Sequence, residues 1–296
     1  MCKFSRNLVI MKTESSFLHK KITLRCGERL LDLSAPLVMG ILNATPDSFY
    51  AGSRAASADM VAARAHQMLS EGAAIIDVGA YSSRPGAENV PQDEELRRLC
   101  PALEVICKKF PQAVVSIDTF RAGVVREVVR QFGAVLVNDA SGGGDEKMYA
   151  AVAELGLPYV AMHTRGTPQT MQLQTSYVSV TEEVIFSLSQ KVEALHRAGV
   201  ADVLVDPGFG FAKTTEQNFE LLRRLAEFKI FELPLLVGLS RKSMACRTLG
   251  VAPSEALNGT TALHVLALER GADILRVHDV RAAVEAVKMV TQLRTL

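Results

Sequence analysis

The sequence predicts an α/β protein, a (β/α)8 barrel of the TIM type with an N-terminal β-hairpin extension. Three observations lead there. Eight short runs rich in Val, Ile and Leu recur along the chain, with amphipathic stretches between them. Strands of that composition pair in parallel, buried on both faces, and helices are what cover them. The stretch from residue 35 to residue 296 has the length that eight such units need. Finally, the glycine-rich fingerprint of a doubly wound open sheet is missing after the first run, which removes the main rival.

Residues 1–34 read as an extension in which "KKITLRCGERLLDLS" forms a hairpin turning near Cys26, Gly27 and Glu28. The barrel, residues 35–296, opens with the strand "LVMGILN" and the helical pattern "SADMVAARAHQMLSEGA". "AIIDVGA" follows, then "DEELRRLCPALEVICKKF", where Cys100 and Cys107 lie two turns apart and read as helix-packing thiols. "VVSIDT" and "VLVND" are the next strands. Asp139 ends the second of these as a turn residue, since "NDASGGGDEKM" needs turns. "YVAMH" precedes the long helix "VTEEVIFSLSQKVEALHRAG", and "VLVDPG" and "LLVGLS" supply strands six and seven. "SEALNGTTALHVLALERGA" is helical, "ILRVHD" is the eighth strand, and "VRAAVEAVKMVTQL" closes the chain as an amphipathic helix.

A hydrophobic content of 48% with 22% charged residues fits a globular protein with a large core. A formal net charge of +1 points to neither nucleic acid nor a membrane surface, so any preference for anions is local. The five cysteines show no metal-finger spacing, and an odd number without a framework fits a reducing cytosol, hence a cytoplasmic protein. The N-terminal stretch has no long apolar region followed by a cleavage site, and no run reaches the roughly 18 apolar residues of a spanning helix.

In "ADILRVHDV" the alternation of a strand puts Arg276 and His278 on the face of Ile274. Charged side chains are rarely placed there for packing. The other runs also finish on polar residues: Asn43, Asp118, Asn138, Asp206, and then Ser240 with Lys242. A single strand-end Asp or Asn is usually a cap or turn residue, and a single Arg or His usually a surface one. Their joint occurrence at the C-terminal ends of barrel strands points to a site, because barrel enzymes keep their chemistry there. Acids and amides come from strands one, three, four and six, and cations and hydroxyls from seven and eight. The helix after Asp279 adds its N–H groups to the cationic side. The ring of residues asks for a polar heteroaromatic ring joined to a phosphate-like group.

The same residues carry a resemblance. "MGILNATPDSFYAGS", "IIDVGAYSSRPGA", "VSIDTFRAGVVREVVRQFGAVLVNDASGG", "MHTRGTP", "LVDPGFGFAKT", "VGLSRKS" and "LRVHDV" resemble, in order and spacing, the signature segments of the dihydropteroate synthase family. That family is a (β/α)8 barrel that sulfonamides inhibit. The resemblance implies condensation of 7,8-dihydropterin-6-ylmethyl diphosphate with 4-aminobenzoate, giving 7,8-dihydropteroate and diphosphate. It implies Mg²⁺ as cofactor, these small molecules as partners, no nucleic acid or membrane, and a homodimer. By the same resemblance Asp118, Asn138, Asp206 and Lys242 hold the pterin, and Asn43 is the protein ligand of Mg²⁺. Arg276 and His278, with Asn43, match the diphosphate site. Ser83 and Arg84 match the loop that closes over aminobenzoate, Ser240 its carboxylate contact, and Phe49, Pro85 and Phe211 its packing.

Several positions depart from the family's pattern. Tyr50 and Ala51 stand where Ser-Asp is common, Tyr81 where Glu is common, Ser83 for Thr, Thr164 for Met and Ala212 for Gly. Two other activities fit part of the pattern. One is a pterin-binding barrel that transfers methyl to a corrinoid protein, which has no use for "SRKS" and "RVHDV" together. The other is a silent pterin-binding paralogue, hinted at by Ala51.

Overall fold

The computed structural model describes residues 23–44, 54–81 and 90–295. An antiparallel hairpin comes first, β1 (Thr23–Cys26) and β2 (Arg29–Asp32). Gly27 turns it at φ +62°, a region that costs most L-residues roughly 1–2 kcal/mol and glycine almost nothing.

Eight parallel strands follow: β3 (Leu37–Asn43), β4 (Ile75–Gly79), β5 (Val114–Asp118), β6 (Leu136–Asp139), β7 (Tyr159–Met162), β8 (Val203–Asp206), β9 (Leu236–Val237) and β10 (Ile274–Val277). Each pairs with its neighbour in the order β8-β7-β6-β5-β4-β3-β10-β9. A parallel bridge from Val205 to Leu235 joins the two ends, so the sheet closes on itself as a barrel. The helices are α1 (Arg54–Ser70), α2 (Gln92–Lys109), α3 (Ala122–Phe132), α4 (Met148–Leu155), α5 (Val180–Ala198), α6 (Thr215–Arg223), α7 (Ser243–Leu249), α8 (Leu257–Glu269) and α9 (Val280–Arg294). Among the described residues, no helix is long and apolar enough to cross a membrane.

Local chemistry explains the elements. The first turn of α2 carries Asp93, Glu94 and Glu95 and its last turn Lys108 and Lys109, each complementing the helix dipole. Cys100 and Cys107 lie on this helix, both partly buried. Thr214 opens α6 through a capping box with Gln217. Asp139 is the expected turn residue: its Oδ1 accepts from Ser141 N at 2.8 Å, and its Oδ2 accepts from the buried Tyr159 hydroxyl at 2.7 Å.

One expectation needs correcting. "LLVGLS" becomes a strand of two residues only, because the chain leaves the ladder at Gly238 and turns through Arg241 at φ +56°. Strand alternation therefore does not place Ser240 and Lys242; the turn does.

The alternation of the remaining strands divides the core in two. Outward residues such as Val38, Ile76, Ile117, Val137, Val205 and Leu275 pack under the helices. Inward residues Met39, Ile75, Val114, Leu136, Val160, Leu204, Leu236 and Ile274 form the floor of the barrel, and Leu24 and Cys26 of the hairpin join the same cluster. Arg29 adds a hydrogen bond to the Ala113 carbonyl at 2.6 Å. The hairpin thus seals the N-terminal end of the barrel and leaves the C-terminal end open. Replacing the fully buried Leu24 by alanine is expected to destabilise the fold by about 2–5 kcal/mol. Urea unfolding checks this, with activity per folded molecule unchanged.

Candidate active site

Above the apolar floor the inward positions turn polar. The inward phase of β4 runs Ile75, Asp77, Gly79, and that of β10 runs Ile274, Arg276, His278. Register links Asn43 on β3 to Gly79 on β4, Gly79 to Asp118 on β5, and Asp118 to Asn138 on β6. Strand ends from half the barrel therefore stand side by side. A side chain at Gly79 would meet Asp118 Cβ at 3.3 Å, so the glycine leaves room for that carboxylate.

Arg276 sits at the centre. Its Nε donates to Asp77 Oδ2 at 2.6 Å and its terminal nitrogen to Asp118 Oδ2 at 2.7 Å. Asn138 Nδ2 donates to the same Asp77 oxygen at 3.1 Å. Acids and cation were expected on opposite sides of the mouth; here Arg276 reaches across into the acids. Burial pushes the Asp118 carboxyl above its usual range, against the pull of Arg276, and Asp77 adds to the push. Burial alone would lower the guanidinium's pKa, but Asp77 and Asp118 together hold it above the usual value. Two buried atoms on this wall have no hydrogen-bond partner within the described structure, Asp77 Oδ1 and Ser116 Oγ. An unpaired buried acceptor costs about 1–3 kcal/mol, more if charged.

Asp206 and Lys242 face one another electrostatically. Burial raises the Asp206 carboxyl, with Lys242 and the Gly208 N–H, at 2.7 Å, opposing the rise. Burial likewise lowers the Lys242 ammonium to about 8, although Asp206 supports its charge. Lys242 Nζ donates to the Phe209 carbonyl and lies 4.8 Å from the centre of the Phe211 ring. The 207–212 loop that presents both groups is held from below by the buried Lys213. Its ammonium contacts the Gly208 carbonyl at 2.9 Å, the Phe211 carbonyl at 3.0 Å and His163 Nδ1 at 3.0 Å. A side chain at Gly208 would come within 1.9 Å of the His163 carbonyl, which forces glycine there. Ala212 takes φ +50°, the left-handed region, so glycine would relax the backbone at this position.

On the other rim, Ser240 Oγ accepts from the His278 N–H at 3.1 Å and lies 3.0 Å from His278 Nδ1. Arg241 forms a two-pronged ion pair with Asp279 at 2.8 Å per prong, which ties β9's turn to the first turn of α9. Of the N–H groups in that first turn, that of Arg281 donates to Glu71 Oε2 at 3.3 Å.

The structure thus brings Asn43, Asp118, Asn138, Asp206, Phe211, Ser240, Lys242, Arg276 and His278 to one end of the barrel. Ser83, Arg84, Phe49 and Pro85 lie outside the described residues, as do Tyr50 and Ala51. Sequence reasoning passed over Asp77, although the period-two phase of "IIDVG" aims it inward with Ile75. It also passed over Lys213 and His163, for which no local pattern signals burial. For Mg²⁺, the described residues hold no group of three or more His, Cys, Asp or Glu side chains able to cage an ion. Asn43 offers one hard oxygen at the mouth, and Mg²⁺ commonly takes one or two protein oxygens and fills its shell with substrate phosphate and water. The donor set fits that manner of binding.

Comparison with known proteins places this geometry in a family. The pterin binding enzyme family matches residues 39–278. Dihydropteroate synthase of Escherichia coli K12 is 46% identical over 262 residues, covering 88% of this chain and 92% of that one. The crystal structure of Yersinia pestis dihydropteroate synthase with a sulfonamide drug complex superposes with TM-score 0.87 at 41% identity, covering 93% of this chain and 100% of that one. Xanthomonas albilineans dihydropteroate synthase with 4-aminobenzoic acid gives TM-score 0.85 at 37% identity, with 93% and 98% covered.

Proposed function

The chain belongs to the pterin binding enzyme family, and on that premise we propose that it carries out the dihydropteroate synthase reaction. It joins 7,8-dihydropterin-6-ylmethyl diphosphate to 4-aminobenzoate and releases diphosphate. The observation that carries this reading is the interlocked set of Asp77, Asp118 and Arg276 at the open end of the barrel, flanked by Asp206 and Lys242. A ligand for such a cup needs N–H donors for the acids and an anionic group for the cations.

In this reading Asp118, Asn138 and Asp206 take the pterin's donors, and Lys242 takes an acceptor on its edge. Arg276 and His278 face the diphosphate beside the N-terminal end of α9. As the methylene C–O bond breaks, its electron pair leaves with diphosphate, and the ring carries the positive charge. Fixed carboxylates beside the ring stabilise its positive charge, and Arg276, whose Nε and one terminal nitrogen are held by Asp77 and Asp118, has its other terminal nitrogen for the leaving group. The neutral amine of 4-aminobenzoate then bonds to the methylene and sheds a proton, so no covalent enzyme intermediate is needed. Ser240 and Phe211 frame this second substrate, with Ser83 and Arg84, which follow β4 in the sequence. Asn43 would hold Mg²⁺, which supplies neutralising charge to the diphosphate when bound.

The test is diphosphate release by the purified protein with both substrates and Mg²⁺. Release that depends on 4-aminobenzoate and stops with a chelator is expected. Pterin binding without any release overturns the reading. The protein is further read as cytoplasmic and homodimeric, with Leu266, Met289 and Leu293 exposed on α8 and α9 as the apolar face between copies. A solution mass of one chain, by light scattering, removes the dimer.

The alkaline limb of the pH profile follows from Lys242. Its protonated form is the active one, and burial lowers its pKa to about 8. The kcat/KM for the pterin substrate is therefore expected to fall as pH rises through about 8. Lys242→Arg, being always charged, is expected to lose that limb even where its rate is low.

A further inference from the structure

Asp77 stands in the middle of β4, fully buried, and one of its oxygens serves two of the proposed site residues. Asp77 Oδ2 accepts from Arg276 Nε and from Asn138 Nδ2. Among the described residues the other oxygen, Oδ1, has no hydrogen-bond partner, and neither has Oγ of Ser116, the register partner of Asp77 on β5. Both residues are fully buried on the inward phase of their strands, so their unpaired atoms lie in the barrel interior, one layer below Gly79 and Asp118 on the same strands. Among the described residues, these two neighbouring groups, a carboxylate oxygen that accepts and a hydroxyl that both accepts and donates, have no hydrogen-bond partner.

The direction of the Asn138 amide is the second consequence. With Nδ2 committed to a carboxylate, its Oδ1 is the atom left to accept from a ligand. Asp77 thereby decides which way a strand-end amide reads the ring. It also holds the guanidinium of Arg276 at Nε, so that the rest of the fork is aimed by a fixed hinge.

We infer that Asp77 is a positioning residue for the pterin half of the substrate: it aims Asn138 and Arg276 through one oxygen, and with Ser116 receives an N–H or O–H donor that arrives with the ring. The inference rests on the proposed reaction and gives Asp77 and Ser116 the roles that reading leaves unassigned. The donor is a ring N–H or a water that the ring carries in. Both supply the same hydrogen bond to the same acceptors.

The experiment compares the wild-type chain with Asp77→Asn, Ser116→Ala, Asn138→Ala and the Asp77→Asn/Asn138→Ala double variant. Each is assayed for KM of both substrates and kcat, with thermal unfolding as the check on folding. Asp77→Asn is expected to raise KM for the dihydropterin diphosphate roughly ten- to hundredfold, the usual weight of a hydrogen bond to a charged group. KM for 4-aminobenzoate is expected to stay within about threefold. Ser116→Ala, which removes no side-chain hydrogen bond among the described residues, is expected to weaken the pterin substrate a few-fold with unchanged melting. The double variant is expected to lose less than the product of the two single losses, because Asp77 acts through Asn138.

A merely structural role predicts equal losses for both substrates and additive variants; that result overturns the inference, as does a wild-type pterin KM in Asp77→Asn. Should Asp77→Asn not fold, an unchanged pterin KM in Ser116→Ala overturns it, and a raised one supports it. A wild-type chain that releases no diphosphate in the same assay removes the proposed reaction itself, a distinct outcome.

Discussion

Replacing Lys242 by alanine is expected to lower kcat/KM for the pterin substrate by two to three orders of magnitude while the protein still folds. The ammonium is the cation that faces Asp206, and it approaches the Phe211 ring to 4.8 Å from above. One preorganised donor in a water-poor site typically carries about 3–4 kcal/mol of transition-state stabilisation, which is the loss expected here. Little else depends on the side chain. Its hydrogen bond goes to the carbonyl of Phe209, a residue already anchored in the core, and Lys213 holds the same loop through three contacts. Steady-state kinetics together with a thermal melt check both halves. Near wild-type turnover removes Lys242 from the site, and a collapsed melt removes the claim that its role is functional rather than structural.

Arg276→Ala is expected to have the larger total effect, because it strikes both function and fold. The guanidinium neutralises Asp77 and Asp118 at once. Removing one partner of a buried ion pair typically costs about 3–5 kcal/mol, since the charge left behind has no water to solvate it. Turnover is expected to fall at least as far as in Lys242→Ala. The stability loss carries a pH signature with a definite sign. Burial already raises the Asp118 carboxyl above its ordinary value, and Arg276 is the group that pulls it back. Without that pull the folded-state pKa rises further above the unfolded one. Such a carboxyl stabilises the fold where it is protonated and destabilises it where it is ionised. Urea unfolding of the variant is therefore expected to show a larger deficit at pH 8 than at pH 5. A deficit that grows toward acid contradicts the arrangement of charges described here.

How much was legible in the residues varies with the range of the force concerned. Parallel pairing follows from runs that are apolar on both faces, so "AIIDVGA" and "VLVDPG" read directly as strands. Hairpin geometry followed from the glycine at position 27. Where the chain left the ladder was harder to see. "LLVGLS" has the composition of a full strand, yet the turn through Arg241 at φ +56° ends it after Val237. Alternation found Arg276 and His278 because a strand has a period of two. The same rule would have found Asp77 had it been applied inside "IIDVG" rather than at strand ends. Lys213 was beyond reach by any local rule, because its burial comes from His163 and two loop carbonyls.

By itself the sequence determined the class of fold, the end of the barrel that carries chemistry, and most of the residues gathered there. Those features depend on periodicity and on side-chain type, both of which are local properties. Tertiary packing alone sets who partners whom: that Arg276 reaches two acids on separate strands, that one Asp77 oxygen is shared by Arg276 and Asn138, and that the hairpin seals the floor. Hydrogen bonds act over about 3 Å, and no run of letters records which residues 158 or 199 positions apart come within that distance.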